Sequence, residues 1–146
     1  MSHAKKEAID DFAQYLRDIY GDEFKVNHGD IHNYLGMDLD YSEKGKFRVS
    51  QIKYLVKVCR DFPELILGEA ASPAADHLFT IRDEDKARFL PEEQVQVFHR
   101  TVEQLLFMST CARRDIQTAV AFLTTKVKRL KKDDWGKLKR VLRYLW

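Results

Sequence analysis

Pairs of acidic residues are the first candidates for metal chemistry in this chain of 146 residues. Asp10-Asp11 falls in a predicted helix, where adjacent side chains point about 100° apart and share an ion poorly. Asp38 and Asp40 lie on one face of a predicted strand, which suits a two-metal site better. The other two pairs are Asp22-Glu23 at a turn and Asp133-Asp134 at a helix start. Acidic residues also occur at helix starts, where they complement the macrodipole, and on the solvated face of a sheet. We therefore expect no metal site at these pairs.

A second candidate for metal binding is the alternating set His28, Asp30 and His32. Along a strand these three side chains project to one side, and two imidazoles with a carboxylate suit a transition metal. No further ligand is evident nearby, and Gly29 suggests a bulge that breaks the alternation. We interpret these residues as polar residues of an edge strand.

The sequence lacks the motifs of nucleotide binding and of nucleophilic catalysis. The spacing of its six glycines matches neither the dinucleotide-binding loop nor the P-loop, and no Gly-x-Ser-x-Gly is present. Cys59 and Cys111 have no neighbouring histidine, and both fit apolar helical faces, which favours core packing over catalysis. Residue spacing therefore predicts no catalytic residue.

The basic residues near the end of the chain carry more information. Residues 126–143 hold nine Lys and Arg against two acidic residues, whereas residues 1–90 hold 13 basic and 17 acidic residues. Trp135 and Tyr144 are interleaved with these cations, and such a pattern can neutralise phosphates and stack on sugars or bases, although we favour core packing for Trp135. A solvated basic face without a partner is the alternative. The predicted nucleic-acid-binding residues are Lys126, Lys128, Arg129, Lys137, Lys139, Arg140 and Arg143.

Hydrophobic periodicity predicts the elements that must position these residues. A helix runs from about Lys5 to Tyr20 and stops at Gly21. Alternating residues predict a strand at 24–26, another at 34–41, and a β-hairpin that returns through 47–49 after the turn at 42–45. A helix at about 50–62 follows, with Ser50 as N-cap and one apolar face formed by Ile52, Leu55, Val56 and Cys59.

The second half of the chain is predicted to be a loop followed by three helices. Residues 63–91 contain Pro63, Pro73 and Pro91 and are predicted to form a loop anchored by Leu65–Leu67. The helices span about 92–111, 115–128 and 134–146, with Asp134 as N-cap of the last. Its predicted apolar stripe consists of Trp135, Leu138, Val141, Leu142 and Leu145. The fold class is therefore α+β: an N-terminal helix, a small antiparallel sheet and a helical subdomain.

Composition excludes several classes of protein. With 45% hydrophobic and 33% charged residues, the chain is neither disordered nor collagen-like. No apolar run reaches the roughly 20 residues of a membrane span, and no signal peptide is evident. Two distant cysteines without Cys-x-x-Cys spacing favour an intracellular protein, cytoplasmic or nuclear.

Several blocks, in the right order, resemble copia-type LTR retrotransposon reverse transcriptases, which are RNA-directed DNA polymerases. The first block, HNYLGMDLD, resembles the segment that follows the active-site hairpin in that family. The blocks are distributed along the chain from His32 to Leu145, and their combination is specific. In chain order the matching residues are His32–Asp40, Gly45, Val49–Tyr54, Ser72–Ala75, Phe98–Val102, Leu105–Phe107, Arg114–Val120, Trp135 and Lys139–Leu145.

The resemblance implies a division of the chain. Residues 1–62 would be the end of a polymerase palm, 63–91 a connector, and 92–146 a thumb-like helical region leading to the connection. Leu35, Gly36 and Met37 would correspond to the primer grip, which holds the primer's 3′ end. The implied partner is RNA–DNA or other duplex nucleic acid, bound weakly and without sequence preference, with no membrane involved. The alternative is a non-catalytic interaction module or a decayed relic.

Departures from the family pattern concern catalysis. Family members hold two metal ions with three aspartates, two of them in a Tyr-x-Asp-Asp turn, and the parent enzyme would use magnesium. Ala8-Ile9-Asp10-Asp11 imitates that turn poorly, because Ala replaces Tyr and the residues fall in a predicted helix. We therefore expect a fragment without cofactor or catalytic residue, whose missing palm and fingers segment lies upstream of Met1.

We predict that the chain alone does not extend a primer in the presence of magnesium and deoxynucleotides. Without the three aspartates, two metal ions cannot be clamped for in-line displacement. The measurement is template-directed incorporation by purified residues 1–146. Incorporation above a no-protein control would contradict the prediction.

Overall fold

The structure, a computed structural model, describes residues 6–80, 88–126 and 129–146. Helix α1 spans Lys6–Tyr20, and a 3-10 turn at Gly21–Glu23 follows it. Gly21 has a φ of 63°, a conformation that glycine adopts without steric cost, so the predicted stop is confirmed. Phe12 and Tyr15, on the apolar stripe of α1, are exposed.

A three-stranded antiparallel sheet follows α1, in the order β1-β2-β3. Its strands are β1 (Ile31–Tyr34), β2 (Met37–Asp40) and β3 (Arg48–Ser50). The predicted single strand over 34–41 is wrong, because a two-residue turn at Leu35 and Gly36 splits it and pairs Tyr34 with Met37. The predicted strand at Phe24–Val26 is also wrong, since the described residues 24–30 contain no strand.

Helix α2 spans Ile52–Asp61 and packs its second half into the core. The predicted N-cap at Ser50 is wrong, because Gln51 occupies the N-cap position of α2, although the backbone N–H of Ile52 donates to Ser50 Oγ at 3.4 Å. Val58 and Cys59 are buried, but Ile52 is 70% exposed and does not belong to the buried face. Burial raises the pKa of the Cys59 thiol to about 11, which disfavours the reactive thiolate.

Three helices complete the described chain: α3 (Glu92–Cys111), α4 (Gln117–Thr124) and α5 (Lys132–Leu145). A 3-10 turn at Arg114–Ile116 precedes α4, so the predicted helix over 115–128 is shorter than expected. Asp134 is not the N-cap of α5. It lies in the first turn, where its carboxylate accepts the backbone N–H of Lys131 at 3.0 Å.

The core lies where α2, α3, α4 and α5 meet. The predicted α5 stripe is buried throughout, as expected for an amphipathic helix. Cys111 is exposed rather than packed in the core, which corrects the expectation for that cysteine. The side chains with almost no exposure include Phe98, Leu105, Met108, Ile116, Leu123, Leu138 and Leu142.

The connector, defined as residues 63–91, crosses the surface of this core. Its described residues, 63–80 and 88–91, form no helix or named strand, and Phe89 makes a single β-bridge to Lys131. Of the predicted anchor, Ile66 is buried, whereas Leu65 and Leu67 are exposed. No helix among the described residues is long and apolar enough to cross a membrane.

Candidate nucleic-acid interface

The tip of the β1–β2 hairpin contains the three residues that resemble a primer grip. Leu35 has a φ of 50° and Gly36 a φ of 75°, and two consecutive positive φ values define a type I′ turn. The Leu35 side chain is 64% exposed, and Met37 is half-buried. The turn therefore presents one apolar side chain to solvent.

Gly36 is required by this turn and by a neighbour within the chain. A Cβ at Gly36 would lie 3.1 Å from Cδ2 of Tyr54 on α2, which is tighter than ordinary contact. Gly36 therefore lies in a turn and not inside the strand predicted over 34–41. Because Gly36 has no side chain, the turn can lie close to the Tyr54 ring. That ring packs edge-on against the ring of Phe107 in α3, with ring centroids 5.5 Å apart.

The carboxylates of β2 have partners within the sheet region. Asp38 accepts hydrogen bonds from Lys53 Nζ at 2.9 Å and Asn33 Nδ2 at 3.1 Å, and the Lys53 bond is the main cause of its lowered pKa. Asp40 accepts the Ser42 hydroxyl and, at 2.9 Å, the Ser42 backbone N–H; these bonds lower its pKa. These contacts stabilise the charged form of both carboxylates.

No group of three potential metal-ligating side chains was found among residues 6–80, 88–126 and 129–146. Of the alternating set in the sequence, only His32 lies in β1, while His28 and Asp30 precede the strand. The interpretation as polar residues of an edge strand therefore holds for His32 and is wrong for His28 and Asp30.

The position of Lys137 differs most from the sequence prediction. We expected Lys137 on the polar side of α5, but only 7% of the residue is exposed. Its Nζ donates to the Thr80 carbonyl at 2.8 Å and pairs with Asp133 Oδ2 at 3.1 Å. The Lys137 side chain is buried and its charge is paired with Asp133. Its bond to Thr80 therefore attaches the connector to α5.

Two further predicted contact residues also bind the connector. Lys139 Nζ lies 2.6 Å from Glu64 Oε2, and this bond is the main cause of the lowered pKa of Glu64. Arg140 donates through Nε and Nη2 to the carbonyl and hydroxyl oxygens of Ser72, each at 3.2 Å. Together with the Thr80 contact, these bonds attach the connector at three successive points.

The remaining predicted cations lie at the α4–α5 junction and at the end of α5. Lys126 Nζ lies 4.6 Å from the Phe122 ring centroid, and the exposed Arg129 lies over Phe89 at 5.0 Å. Arg143 is half-buried and makes no hydrogen bond or ion pair within the described chain. Lys128 lies outside the described residues.

A cleft of about 260 Å³ separates part of the connector from one face of α5. Ala74 and His77 belong to the connector wall, and Gly136, Arg140 and Arg143 to the helix wall. Sequence reasoning missed this cleft, since Glu64 and Ser72 are separated from their α5 partners by 75 and 68 residues and no local pattern reveals such pairs. The basic residues of α5 were the one available signal.

A second network outside the predicted site links the α3–α4 corner to α5. Arg113 Nη2 lies 2.7 Å from Asp115 Oδ2, and its guanidinium lies 5.5 Å from the centroid of the Tyr144 ring. The Arg113 hydrogen bonds lower the pKa of Asp115 to about 2. This contact gives Tyr144 a structural partner, where the sequence suggested an aromatic available for bases.

Comparison of the chain with family models, with curated proteins and with solved structures gives no match.

We predict that Gly36→Ala destabilises the chain more than Gly45→Ala. Both glycines have positive φ, 75° and 78°, but a Cβ at Gly45 meets nothing within 4 Å. The loss in free energy of unfolding by the Gly45 variant therefore measures the backbone cost alone, about 1–2 kcal/mol. The loss by the Gly36 variant also includes the close contact with Tyr54. The measurement is the free energy of unfolding in urea. Equal losses would show that Tyr54 moves aside without cost.

Proposed function

We propose that the chain is the C-terminal palm and thumb part of a copia-type reverse transcriptase, and that it holds primer–template while the parent enzyme supplies catalysis. The observation that carries this proposal is the β1–β2 turn at Leu35 and Gly36. It falls within the residues that resemble the primer grip, and it exposes an apolar side chain at a hairpin tip. An exposed apolar side chain at a hairpin tip suits contact with the end of a primer strand.

Backbone strain supports the same assignment. Among the described residues, Leu35 and Arg129 are the non-glycine residues with positive φ, at 50° and 56°. Each costs about 1–2 kcal/mol relative to an ordinary conformation, and Asn or Gly would suit the Leu35 position better. Strained residues cluster at functional sites. Both residues belong to the contact set predicted from the sequence.

The exposed cations at the α4–α5 junction support binding to a phosphate backbone. Arg129 and Lys132 are exposed, and Lys126 is half-buried. Contacts of this kind give affinity without sequence information, so we expect weak, sequence-independent binding of RNA–DNA or duplex nucleic acid. An intracellular protein, cytoplasmic or nuclear, fits this partner, and the missing palm and fingers segment would be the protein partner.

The alternative function is an interaction module without a nucleic-acid role. The internal contacts of Lys137, Lys139 and Arg140 favour it, because these cations hold the connector. The exposed apolar stripe of α1, including Phe12, Tyr15 and Ile19, favours it as well. Binding measurements distinguish the two functions.

We predict that the chain binds a fluorescent RNA–DNA hybrid and that replacing Lys126, Arg129 and Lys132 together by Gln flattens the salt dependence. Each lost phosphate contact changes the slope of log affinity against log salt by about 0.9 on B-DNA. The matched control replaces Lys25, Lys44 and Lys57, which are exposed in the acidic half of the chain. The measurement is fluorescence anisotropy between low and moderate salt.

The control variant should keep the slope of the unmodified chain. Equal slopes for both triple variants would place the contacts elsewhere. A chain that binds no hybrid at low salt would reject the proposed function and leave the interaction module.

We also predict that Leu35→Asn impairs primer extension without impairing folding, in a chimera with a family member's upstream palm fused to Met1. Asn-Gly is the preferred type I′ dipeptide, so the turn should be kept or strengthened. The apolar contact at the tip would be lost, and misplacing a reacting group by about 1 Å costs on the order of a hundredfold in rate. The measurements are the extension rate and the free energy of unfolding.

The control for the chimera is Leu65→Asn, which removes another exposed leucine, in the connector. Extension by Leu35→Asn at the rate of this control would show that the hairpin tip does not hold the primer.

A further inference from the structure

The cleft between the connector and α5 has an unusual balance of cations and partners. It is lined by three basic residues of one helix, Lys137, Arg140 and Arg143, and by two acidic residues, Glu69 and Asp133. Asp133 pairs with Lys137 at 3.1 Å, which neutralises that cation. Two guanidinium groups then face one exposed carboxylate, so the cleft keeps a positive charge.

Arg140 is oriented without being neutralised. Its Nε and Nη2 donate to Ser72, a neutral residue, at 3.2 Å each. A guanidinium has five N–H donors, so three stay available after these two bonds. The Ser72 contacts fix the plane of the group, which lowers the entropy cost of binding a ligand.

Arg143 provides the second guanidinium. It follows Arg140 by three residues, a spacing that places both on one face of a helix. It is half-buried against the cleft and makes no hydrogen bond or ion pair within the described chain. The charge of Arg143 is the smallest of the causes that lower the pKa of Glu64, and Glu64 already accepts bonds from Lys139 and Trp135.

We infer that this cleft is a binding site for a phosphate group, held by Arg140 and Arg143. Planar guanidinium groups bind phosphate oxygens in pairs, with geometric specificity that a lysine lacks. The volume of about 260 Å³ leaves room for the phosphate and part of the group attached to it. The inference deepens the proposed function, on which it rests for the nucleic-acid source of the phosphate.

The test uses the full chain and three probes: inorganic phosphate, hexathymidylate with a 5′-hydroxyl, and the same oligomer with a 5′-phosphate. The readouts are the NMR signal of Arg143 Nε–H and the dissociation constant. We expect a phosphate probe to shift that signal and Arg143→Gln to weaken binding about tenfold, as for the loss of a charge-assisted pair. Arg114→Gln is the matched control, since Arg114 is exposed and lies outside the cleft lining.

The probes also identify the source of the phosphate. A shift with inorganic phosphate indicates an isolated group, a shift with the 5′-hydroxyl oligomer indicates the strand backbone, and a shift confined to the 5′-phosphate oligomer indicates a strand end. Sodium chloride at equal ionic strength is the reference. An equal shift with chloride, no shift with any probe, or equal losses in both Gln variants would overturn the inference.

Two further measurements keep the outcome unambiguous. If Arg143→Gln unfolds, Arg143→Lys is compared with Arg114→Lys: weaker binding by the former supports the two-guanidinium site, and equal binding overturns it. Hybrid binding by the unmodified chain tests the proposed function separately. Hybrid binding without Arg143-dependent binding of any phosphate probe overturns only the phosphate site, whereas phosphate binding without hybrid binding overturns only the proposed function.

Discussion

The position of α5 depends on one carboxylate that two residues of the helix share. Glu64 accepts Trp135 Nε1 at 2.7 Å and Lys139 Nζ at 2.6 Å, and Trp135 stacks on Phe62 with ring centroids 4.9 Å apart. The Trp135 residue is buried, and a buried donor left without a partner costs about 1–3 kcal/mol. Glu64 therefore fixes where the connector begins, and the residues after it follow the surface of α5 to Ser72 and Thr80.

The hairpin shows a second constraint, in which backbone conformation overrides side-chain preference. The alternating residues from Tyr34 to Tyr41 satisfy the pattern of one strand, but Gly36 permits a turn there, and the register pairs Tyr34 with Met37. Leu35 accepts a positive φ as a consequence. Asn is the preferred residue at that position of a type I′ turn, so the leucine there costs backbone stability.

Much of the helical framework could be predicted from the sequence, because amphipathic periodicity follows directly from burial. The α5 stripe and the stop of α1 at Gly21 were predicted correctly, and so was the α+β order. The candidate site was harder. Its cations were found by charge pattern, but their partners lie 57 to 75 residues away in a loop without periodicity. The predicted burial of Ile52 was wrong because the first turn of α2 extends beyond the packed core.

The fate of each α5 cation decides how much of the basic pattern stays available to a ligand. Lys137 and Lys139 face carboxylates, and their fields are largely cancelled at short range. Arg140 also binds the connector, but its partner Ser72 is neutral, so the contact orients the charge without cancelling it. Arg143 makes no ion pair within the described chain. The same helix thus uses Lys137 and Lys139 to hold the connector, whereas Arg140 and Arg143 keep their charge at the cleft. The number of basic residues in α5 therefore overstates how much of their charge is left uncompensated.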